Sequence, residues 1–531
     1  MGSCKEEGKR FCQTTSLKGV PRLMRNQPAL LRTIWTVAVI SFLLLTLYQA
    51  FLIITKYYRF PTVTKITEKS TDFSEAPDIA ICNSHPLSFL SDEAKNNNMS
   101  SLKEFHQHLD ALTNCSNCST EELEGRSILQ EELSSPYGYY QFIGKEMAKA
   151  VSHHQDDILV ECKLVILKGT SFIHVPCEGR VNITHHMSVN NFNCYHVHAA
   201  VPTYGFSFVS YIDNMDDING MDLDFESGIN TNTGMVIYLL EKQTLWSSST
   251  MQTWLSPGTF NNVQFVVQKK DSPGTPYETC QIKEEVRIID SFKMSYTPCI
   301  NFCEETEIAK VCKCKDPTVM SFLDKFGLMT DLPYCGNLTA PKEMVLKYKS
   351  CADKNASKRV EYCAGSCPVT CSSLRYTPSL SSTPWPSHHS LKSFYKMYIK
   401  GRRYESHFTS AWQQMLNGSK QQLYDLANKN FVKYQIIPTD FRYLQIENVP
   451  QVTLSNLLSQ LGGTFNLLSG ISVFVFIEIL ELFIRLCSSD KSSQHIDSNK
   501  TDKKKIEDQL TKKDLNNEKQ PINTISSLTS F

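Results

Sequence analysis

The chain has 531 residues, with 54 basic and 54 acidic side chains and 19 cysteines. A net charge of zero argues against a nucleic-acid partner and against a strongly basic membrane-binding patch. The length suits two or three soluble domains, but two long apolar stretches near the ends of the chain indicate a membrane protein instead.

The first apolar stretch, residues 33–54, contains no charged residue and is long enough for the ~20 residues of a transmembrane helix. Seven basic and two acidic side chains precede it in residues 1–32, so the positive-inside tendency predicts a cytosolic N-terminus. Residues 55–451 are then extracellular. The second stretch, residues 452–486, returns the chain to the cytosol, where residues 487–531 are too polar to fold around a core and are predicted to be disordered.

The predicted extracellular region begins with polar, helix-compatible sequence and continues with runs typical of strands. Apolar residues at helical spacing predict helices over residues 101–112 and 137–150, and shorter helices over 306–311 and 391–402. Alternating or β-branched runs predict strands of one sheet over residues 158–167, 206–212, 235–240, 263–267 and 434–446. Because the last run leads almost directly into the second stretch, movement of the sheet would reach that helix.

The cysteine count agrees with this topology. Sixteen of the 19 cysteines lie in residues 55–451, and an even number in an oxidising compartment predicts a fully paired disulfide framework. The dense pattern over residues 280–371 also permits a zinc cluster, which is the less favoured interpretation outside the cell. Glycosylation sequons in the same region begin at Asn98, Asn114, Asn117, Asn182, Asn337, Asn355 and Asn417.

The second apolar stretch holds residues that a simple membrane anchor does not need. The pair Gly462-Gly463 loosens a helix, and the triplet Gly470-Ile471-Ser472 could expose backbone carbonyls at a narrow passage. Glu478 and Glu481 lie three residues apart and so share one helical face. A carboxylate is costly inside the hydrocarbon of a bilayer, so Glu478 and Glu481 are expected to face water or one another. This favours a cation pathway near the cytosolic end of the segment. The alternative is ordinary solvation at the helix end, where Glu481 is close to Arg485.

Two segments carry a family resemblance. Residues 76–83 read APDIAICN after the first apolar stretch, and residues 363–371 read CAGSCPVTC, followed by Tyr376, Ser379 and a Trp-Pro-Ser sequence at residues 385–387. Together they resemble the degenerin/epithelial sodium channels. The resemblance implies an α+β protein with two transmembrane helices around a disulfide-rich ectodomain of finger, thumb, knuckle, palm and β-ball parts. It also implies a homotrimer in the plasma membrane, with both termini cytosolic.

The resemblance further implies a disulfide pairing that the sequence alone could not select. The implied bridges are Cys82–Cys194, Cys162–Cys177, Cys280–Cys371, Cys299–Cys367, Cys303–Cys363, Cys312–Cys351 and Cys314–Cys335. Two cysteines of this region remain, Cys115 and Cys118, and we expect them to bridge each other locally.

In the pore, the resemblance implies that Gly470, Ile471 and Ser472 form the selectivity filter and that Glu478 and Glu481 are acidic pore positions. It places Ser459 at a small-residue gating position and implies block by amiloride, with sodium as the permeant ion and no cofactor or metal. The sequence departs from the family at two positions. Gln460 stands where many relatives carry Asp, and Lys18 precedes Gly19 where the family has His-Gly, so an imidazole cannot titrate there.

Residues 276–280, PYETC, resemble the base of the thumb in this family, so we expect Tyr277 to contact Tyr57 or Tyr58 and couple the ectodomain to the first helix. The filter and overall arrangement resemble invertebrate members gated by FMRFamide-like neuropeptides. An extracellular amidated peptide is therefore the expected ligand, and an acidic, aromatic-lined pocket would suit it. Acid or mechanical gating and a non-conducting accessory or receptor subunit are the alternatives. An enzyme is not expected, because no nucleophile elbow, zinc-protease motif or P-loop is present in the sequence.

Overall fold

The computed structural model describes residues 2–70, 76–97, 99–114, 119–169, 171–214, 225, 232–246, 250–281, 288–289, 292–318, 320–354, 356–367 and 369–485. The chain divides into two compact units. We call Met1–Pro61 with Pro450–Phe531 the helical unit, and Thr62–Val449 the sheet unit. The predicted bridge between Cys115 and Cys118, the sequons at Asn98, Asn117 and Asn355, and the tail at residues 487–531 lie outside the described residues.

The helices of the described residues are α1 (Gly2–Thr14), α2 (Val20–Leu23), α3 (Ala29–Tyr58), α4 (Asp92–Asn97), α5 (Ser100–Thr113), α6 (Thr120–Leu133), α7 (Pro136–Val151), α8 (Gln155–Ile158), α9 (Tyr296–Cys312), α10 (Phe322–Lys325), α11 (Lys342–Asp353), α12 (Ala356–Ser366), α13 (Leu391–Phe394), α14 (Glu405–Leu416), α15 (Gln421–Asn430), α16 (Leu454–Ser469) and α17 (Val473–Arg485). A π-helical turn, Tyr395–Ile399, continues α13.

The strands are β1 (Thr62–Ser70), β2 (Asp78–Asn83), β3 (Glu161–Lys168), β4 (Ser171–Pro176), β5 (Val181–Ser188), β6 (Phe192–Ala199), β7 (Gly205–Tyr211), β8 (Met235–Leu240), β9 (Gln252–Leu255), β10 (Thr259–Asp271), β11 (Ile288–Ile289), β12 (Phe292–Lys293), β13 (Ser372–Pro384) and β14 (Phe431–Pro450).

The helical unit contains the two predicted membrane segments. Helix α3 extends the predicted stretch at both ends, and it is the one described helix long and apolar enough by itself to cross a membrane. Large side chains such as Leu44 and Phe51 are exposed along it, which favours lipid or protein over water as their surroundings. Residues 452–486, predicted as one helix, hold α16 and α17, which meet at 69° and are long and apolar enough to cross a membrane only when taken together.

The sheet unit holds two large sheets. The larger sheet has the strand order β13-β10-β14-β7-β3-β4, and β1 also pairs with β14. The smaller sheet has the order β5-β6-β2-β8-β9. Side chains of both sheets, including Ile79, Phe206, Ile237, Val263 and Tyr434, meet in one buried cluster. The prediction of a single sheet was therefore wrong, because β8 lies in the second sheet. Alternation of apolar and polar residues shows which face of a strand is buried, but it does not show which of two sheets the strand joins.

Most predicted elements were confirmed, with shifted ends. The helices predicted over 101–112 and 137–150 are α5 and α7. The run predicted as a strand from residue 158 begins later, at Glu161, because residues up to Ile158 form α8. The ring of His154 accepts a hydrogen bond from the Asp156 N–H at 3.3 Å and so caps that short helix.

The longest strand, β14, has 20 residues and includes the predicted run 434–446. It lies parallel to β10 and antiparallel to β7. Strand β13 pairs with β10 along all 13 residues of each. The strand that ends at Pro450 is thus bonded into the centre of the larger sheet, and three residues separate it along the chain from α16.

Among the described residues, seven disulfides join the same cysteines that the family resemblance pairs. Their sequence separations run from 15 residues, for Cys162–Cys177, to 112 residues, for Cys82–Cys194. The other five are Cys280–Cys371, Cys299–Cys367, Cys303–Cys363, Cys312–Cys351 and Cys314–Cys335. All ten cysteines of the dense pattern are bridged, so the thiolates that a zinc cluster needs are not available.

Two of these bridges link α9 to α12 in a ladder. Cys299 and Cys303 lie one helical turn apart on α9, and their partners Cys367 and Cys363 lie one turn apart at the end of α12. The two helices are therefore bound covalently at successive turns and move together.

A buried acidic cluster lies beside this ladder. Glu305 on α9 is completely buried and accepts hydrogen bonds from the backbone N–H groups of Phe322, at 2.8 Å, and Leu323, at 3.3 Å. Asp324 follows on α10 and bonds the Lys315 ammonium at 2.7 Å. Burial raises the pKa of the Glu305 carboxyl to about 8, and the charge of Asp324 adds to the rise.

We expect Glu305→Gln to flatten the dependence of stability on pH. An unfolded glutamate ionises near pH 4.3, so the folded chain retains a proton that the unfolded chain has lost. The wild-type free energy of unfolding should therefore fall as pH rises from about 4 to about 8. Glutamine keeps the hydrogen bonds to α10 without this proton. The thermal midpoint of the full chain in detergent, measured at pH 5 and pH 8, should fall less in the variant.

The matched control is Glu307→Gln on the same helix, where Glu307 pairs with Lys310 at 2.8 Å. This variant should keep the wild-type change between pH 5 and pH 8. Equal changes in wild type and Glu305→Gln would contradict the prediction.

Candidate functional site at the broken helix

The triplet Gly470-Ile471-Ser472 forms the break between α16 and α17. Helix α16 begins at Thr453, whose side chain caps the Asn456 N–H at 3.2 Å, and ends at Gly470 in the left-handed region with φ of 73°. Among the described residues, no donor reaches the carbonyl oxygens of Gly470 and Ile471. The break therefore presents two free backbone oxygens in sequence, which are suitable ligands for a hard cation.

The helix α16 is amphipathic along its whole length. Its polar or small residues recur at intervals of three or four and are exposed on one side, namely Asn456, Ser459, Gly463 and Asn466. Its opposite side carries Leu454, Leu458, Leu461 and Phe465. A helix with one polar side and one apolar side suits a position between water and a nonpolar medium. The predicted gating residue Ser459 belongs to the polar side, and Gln460 is exposed next to it.

The N-terminal segment reaches this break. We call residues 15–18 the N-terminal strap. The Lys18 backbone N–H donates to the Ser469 carbonyl at 3.1 Å, and its ammonium donates to the carbonyls of Asn466, at 3.0 Å, and Leu467, at 3.1 Å. Helix ends leave their last carbonyls short of donors. Lys18 binds three of the last four carbonyls of α16, and that of Asn466 also accepts a hydrogen bond from the Gly470 N–H at 3.2 Å. A cation at a helix C-terminus also complements the helix dipole.

The other end of the strap contacts α17. The Thr15 hydroxyl donates to Glu478 at 2.7 Å, and the Ser16 N–H lies 3.2 and 3.1 Å from the two carboxylate oxygens. Thr15 is buried, with 5% of its surface exposed. Three of the four residues of the strap, Thr15, Ser16 and Lys18, thus bond to the helices on the two sides of the break.

Close packing explains the glycine at position 470. A Cβ atom there would lie 2.8 Å from the Lys18 backbone nitrogen and 3.1 Å from the Ser16 carbonyl oxygen. A side chain would also be strained at this positive φ. Gly19, predicted from the family motif, has φ of 87°, and a Cβ atom there would lie 2.6 Å from Val39. Both glycines therefore allow the strap to pack against its neighbours.

The two predicted pore carboxylates have different surroundings. Glu478 is half-buried and bound by the strap, whereas Glu481 is exposed and accepts a hydrogen bond from Arg485 Nε at 2.9 Å. They share one face of α17 as the spacing predicts, but only Glu478 contacts another segment among the described residues. The hydrogen bonds to Thr15 and Ser16 were not predicted, because hydroxyl residues near a terminus carry no specific signal.

The remaining predicted residues lie in the sheet unit. Tyr277 sits in a turn where its N–H donates to the Gly274 carbonyl at 2.9 Å, and its contact with Tyr57 or Tyr58 stays a prediction. The sequon residues Asn114, Asn182 and Asn417 are exposed and Asn337 is partly exposed, so glycan attachment is sterically possible at each.

Comparison with known proteins identifies the family of this chain. The family model described as "Amiloride-sensitive sodium channel" matches residues 11–482. An FMRFamide-activated amiloride-sensitive sodium channel of Cornu aspersum is 22% identical over 67% of this chain and 64% of its own length. The human bile acid-sensitive ion channel is 25% identical over 39% of this chain and 34% of its own.

A Xenopus laevis epithelial sodium channel subunit beta-2 is 23% identical over 58% of this chain and 45% of its own length. The chain thus matches less than two thirds of the length of each of these three relatives. A solved proton-activated chloride channel covers 85% of this chain and 98% of its own at a TM-score of 0.26 and 9% identity, too weak a likeness to support an argument. The family match includes the strap, α3, α16, the break and most of α17, and the chain belongs to the amiloride-sensitive sodium channel family.

Proposed function

We propose that this chain is the pore-forming subunit of a homotrimeric, sodium-selective and amiloride-sensitive channel of the plasma membrane, opened by an extracellular amidated peptide. The observation that carries the proposal is the break between α16 and α17. In the part of the chain that the structure describes, the carbonyl oxygens of Gly470 and Ile471 are free at this break, which follows the polar side of α16. The two helices together are long and apolar enough to span a membrane as a bent pair. An anchor helix would need neither feature.

The proposed conduction follows from the chemistry of these groups. The carbonyls at Gly470 and Ile471 and the hydroxyl of Ser472 would replace part of the hydration shell of sodium. Three copies of α16 around one axis would turn their polar sides, with Ser459 and Gly463, toward the ion and their leucines toward lipid. Sodium is the transported ion, and the proposed chemistry needs no cofactor.

The proposed stimulus rests on the Cornu aspersum relative, whose name states activation by FMRFamide. A ligand on the sheet unit can act mechanically, because β14 is bonded into the larger sheet and is followed after three residues by α16. Acid gating, mechanical gating and a non-conducting accessory subunit are the competing functions.

Voltage clamp of cells that express this chain alone tests the proposal. FMRFamide should evoke an inward current that reverses near the sodium equilibrium potential and is blocked by amiloride, while acid and stretch should evoke none. A current with acid or stretch but none with peptide would overturn the proposed stimulus. If none of peptide, acid and stretch evokes a current, while surface biotinylation detects the chain at the cell surface, the result would favour an accessory subunit.

The filter assignment has a separate test in Ser472→Cys. A water-soluble, positively charged thiol reagent should reduce the sodium current through this variant, because the new thiol would line the ion pathway. Leu458→Cys is the matched control, since Leu458 is exposed on the apolar side of α16 and should be protected by lipid. Equal sensitivity of the two variants would argue against the assignment.

A further inference from the structure

We propose that a cavity between the two sheets and α9 binds a small zwitterion with an apolar body, such as a dipeptide with two large apolar side chains. We call it the junction cavity, and its walls are the end of β8, the first turn of α9 and the start of β13. Glu241 binds the ammonium of the ligand, and Arg375 binds its carboxylate. The binding itself is independent of the proposed function, and only the effect of the ligand on channel opening rests on it.

The junction cavity has the size of a small-molecule site. Its volume is about 540 Å³, and the elements that form its walls all lie within the sheet unit. Binding sites for small molecules are usually clefts of ~300 to 1,000 Å³, with mostly apolar walls and a few polar groups that orient the ligand. The cavity therefore has room for a molecule of the size of a dipeptide.

Buried side chains supply the apolar part of the cavity wall. Leu239 and Tyr376 belong to the buried cluster between the two sheets, and Leu240 and Leu245 belong to a second buried cluster. All four line the cavity. A ligand that places apolar groups against them removes those groups from water, which is the main driving force for binding in such sites. The wall therefore favours a ligand with large apolar side chains.

Glu241 gives the cavity a negative charge. It directly follows β8, is half-buried, and accepts a hydrogen bond from the Leu374 N–H of β13 at 3.3 Å. Because β8 lies in the smaller sheet and β13 at the edge of the larger one, this bond joins the two sheets at the cavity. A carboxylate that is partly removed from water attracts a cation more strongly than one in bulk solvent. The ammonium of the ligand therefore lies beside Glu241.

Arg375 gives the cavity a positive charge. It is exposed, lines the cavity, and forms no ion pair within the part of the chain that the structure describes. Successive side chains of a strand point to opposite faces, but a long side chain on an edge strand can reach around that edge. A guanidinium binds a carboxylate through two parallel hydrogen bonds. A zwitterion thus matches both charged residues, whereas a singly charged ligand matches only one of them.

Two disulfides hold the walls of the cavity in place. Cys371, directly before β13, is bridged to Cys280, and Cys299, at the first turn of α9, is bridged to Cys367. A site that is formed before its ligand arrives loses less entropy on binding. A ligand that contacts all three walls limits the relative movement of the two sheets and α9. The larger sheet includes β14, which is followed by α16, so the ligand changes how readily the channel opens.

Isothermal titration calorimetry of the purified full chain in detergent tests the binding, with phenylalanyl-leucine as the probe. Two derivatives each remove one charge, namely the C-terminal amide and the N-acetyl form of the same dipeptide. Each derivative should bind at least about tenfold more weakly than the unmodified dipeptide, the effect of losing one charge-assisted hydrogen bond. No saturable binding of the unmodified dipeptide, or equal affinity for all three compounds, would overturn the proposal.

Two variants assign each charge of the ligand to its residue. Arg375→Gln should bind the unmodified dipeptide and its amide equally, because the partner of the carboxylate is lost. Glu241→Gln should bind the unmodified dipeptide and its acetyl form equally, and glutamine keeps an acceptor for the Leu374 N–H. If both variants still discriminate as the wild type does, the two charges do not orient the ligand and the proposed site is wrong.

A substitution that fills the cavity tests its location. Met251 lines the cavity and is 43% exposed, so Met251→Trp adds volume there without entering a buried cluster, and it should abolish binding of the dipeptide. Met344→Trp on α11 is the matched control, since Met344 is 44% exposed and lies away from the cavity, and it should bind as the wild type does. Equal thermal midpoints of the two variants show that both are folded. Normal binding by Met251→Trp would overturn the site.

Voltage clamp separates the failure of this inference from the failure of the proposed function. In cells that express the wild type or Met344→Trp, saturating phenylalanyl-leucine should shift the FMRFamide concentration for half-maximal current by about fivefold or more, and Met251→Trp should show no shift. Binding of the dipeptide to a chain that conducts under no stimulus would overturn the proposed function and support the cavity. Peptide-evoked current without dipeptide binding would overturn the cavity alone, and binding without a shift would overturn its effect on opening.

Discussion

The carbonyl groups at the end of α16 are the constraint on which the candidate site depends. A helix leaves its last carbonyls without intrahelical donors, and such groups are costly to bury without partners. In this chain Lys18 binds the carbonyls of Asn466, Leu467 and Ser469, the first of which also accepts from the Gly470 N–H. The carbonyls of Gly470 and Ile471 remain free among the described residues. The carbonyl oxygens bound by Lys18 are occupied, whereas those of Gly470 and Ile471 are the ones left to accept a further donor or a cation.

Gly470 makes this arrangement possible in two ways. Its left-handed backbone ends α16 and turns the chain into α17 at 69°. Its missing side chain leaves room for the backbone of Lys18 and Ser16. Any other residue would strain the turn and displace the strap, so one position controls both the break and the contact that supports it.

Several elements of the sheet unit are joined along much of their length. Strands β13, β10 and β14 are paired along most of their lengths, and the α9–α12 ladder is linked covalently at two successive turns. Buried groups such as Glu305, bonded across from α9 to the start of α10, tighten the same region.

The sequence by itself determined the features that depend on local pattern. These are the two apolar segments, the even number of cysteines in residues 55–451 between them, the helices α5 and α7, the strand β8, and the glycine triplet at residues 470–472. Helical and strand periodicity, turn chemistry and charge patterns act over a few residues, so they can be seen in the chain. The family resemblance added the disulfide partners, which spacing leaves undetermined.

Only the tertiary structure decided which distant groups meet. It separated β8 from the larger sheet, because alternation does not choose a partner strand. It ended α16 at Gly470, where composition alone indicated one continuous apolar segment. It also brought Thr15 to Glu478, residues 463 positions apart, and so gave one of two similar glutamates a partner in the strap. Such contacts depend on how whole helices pack, and no short-range pattern in the chain encodes them.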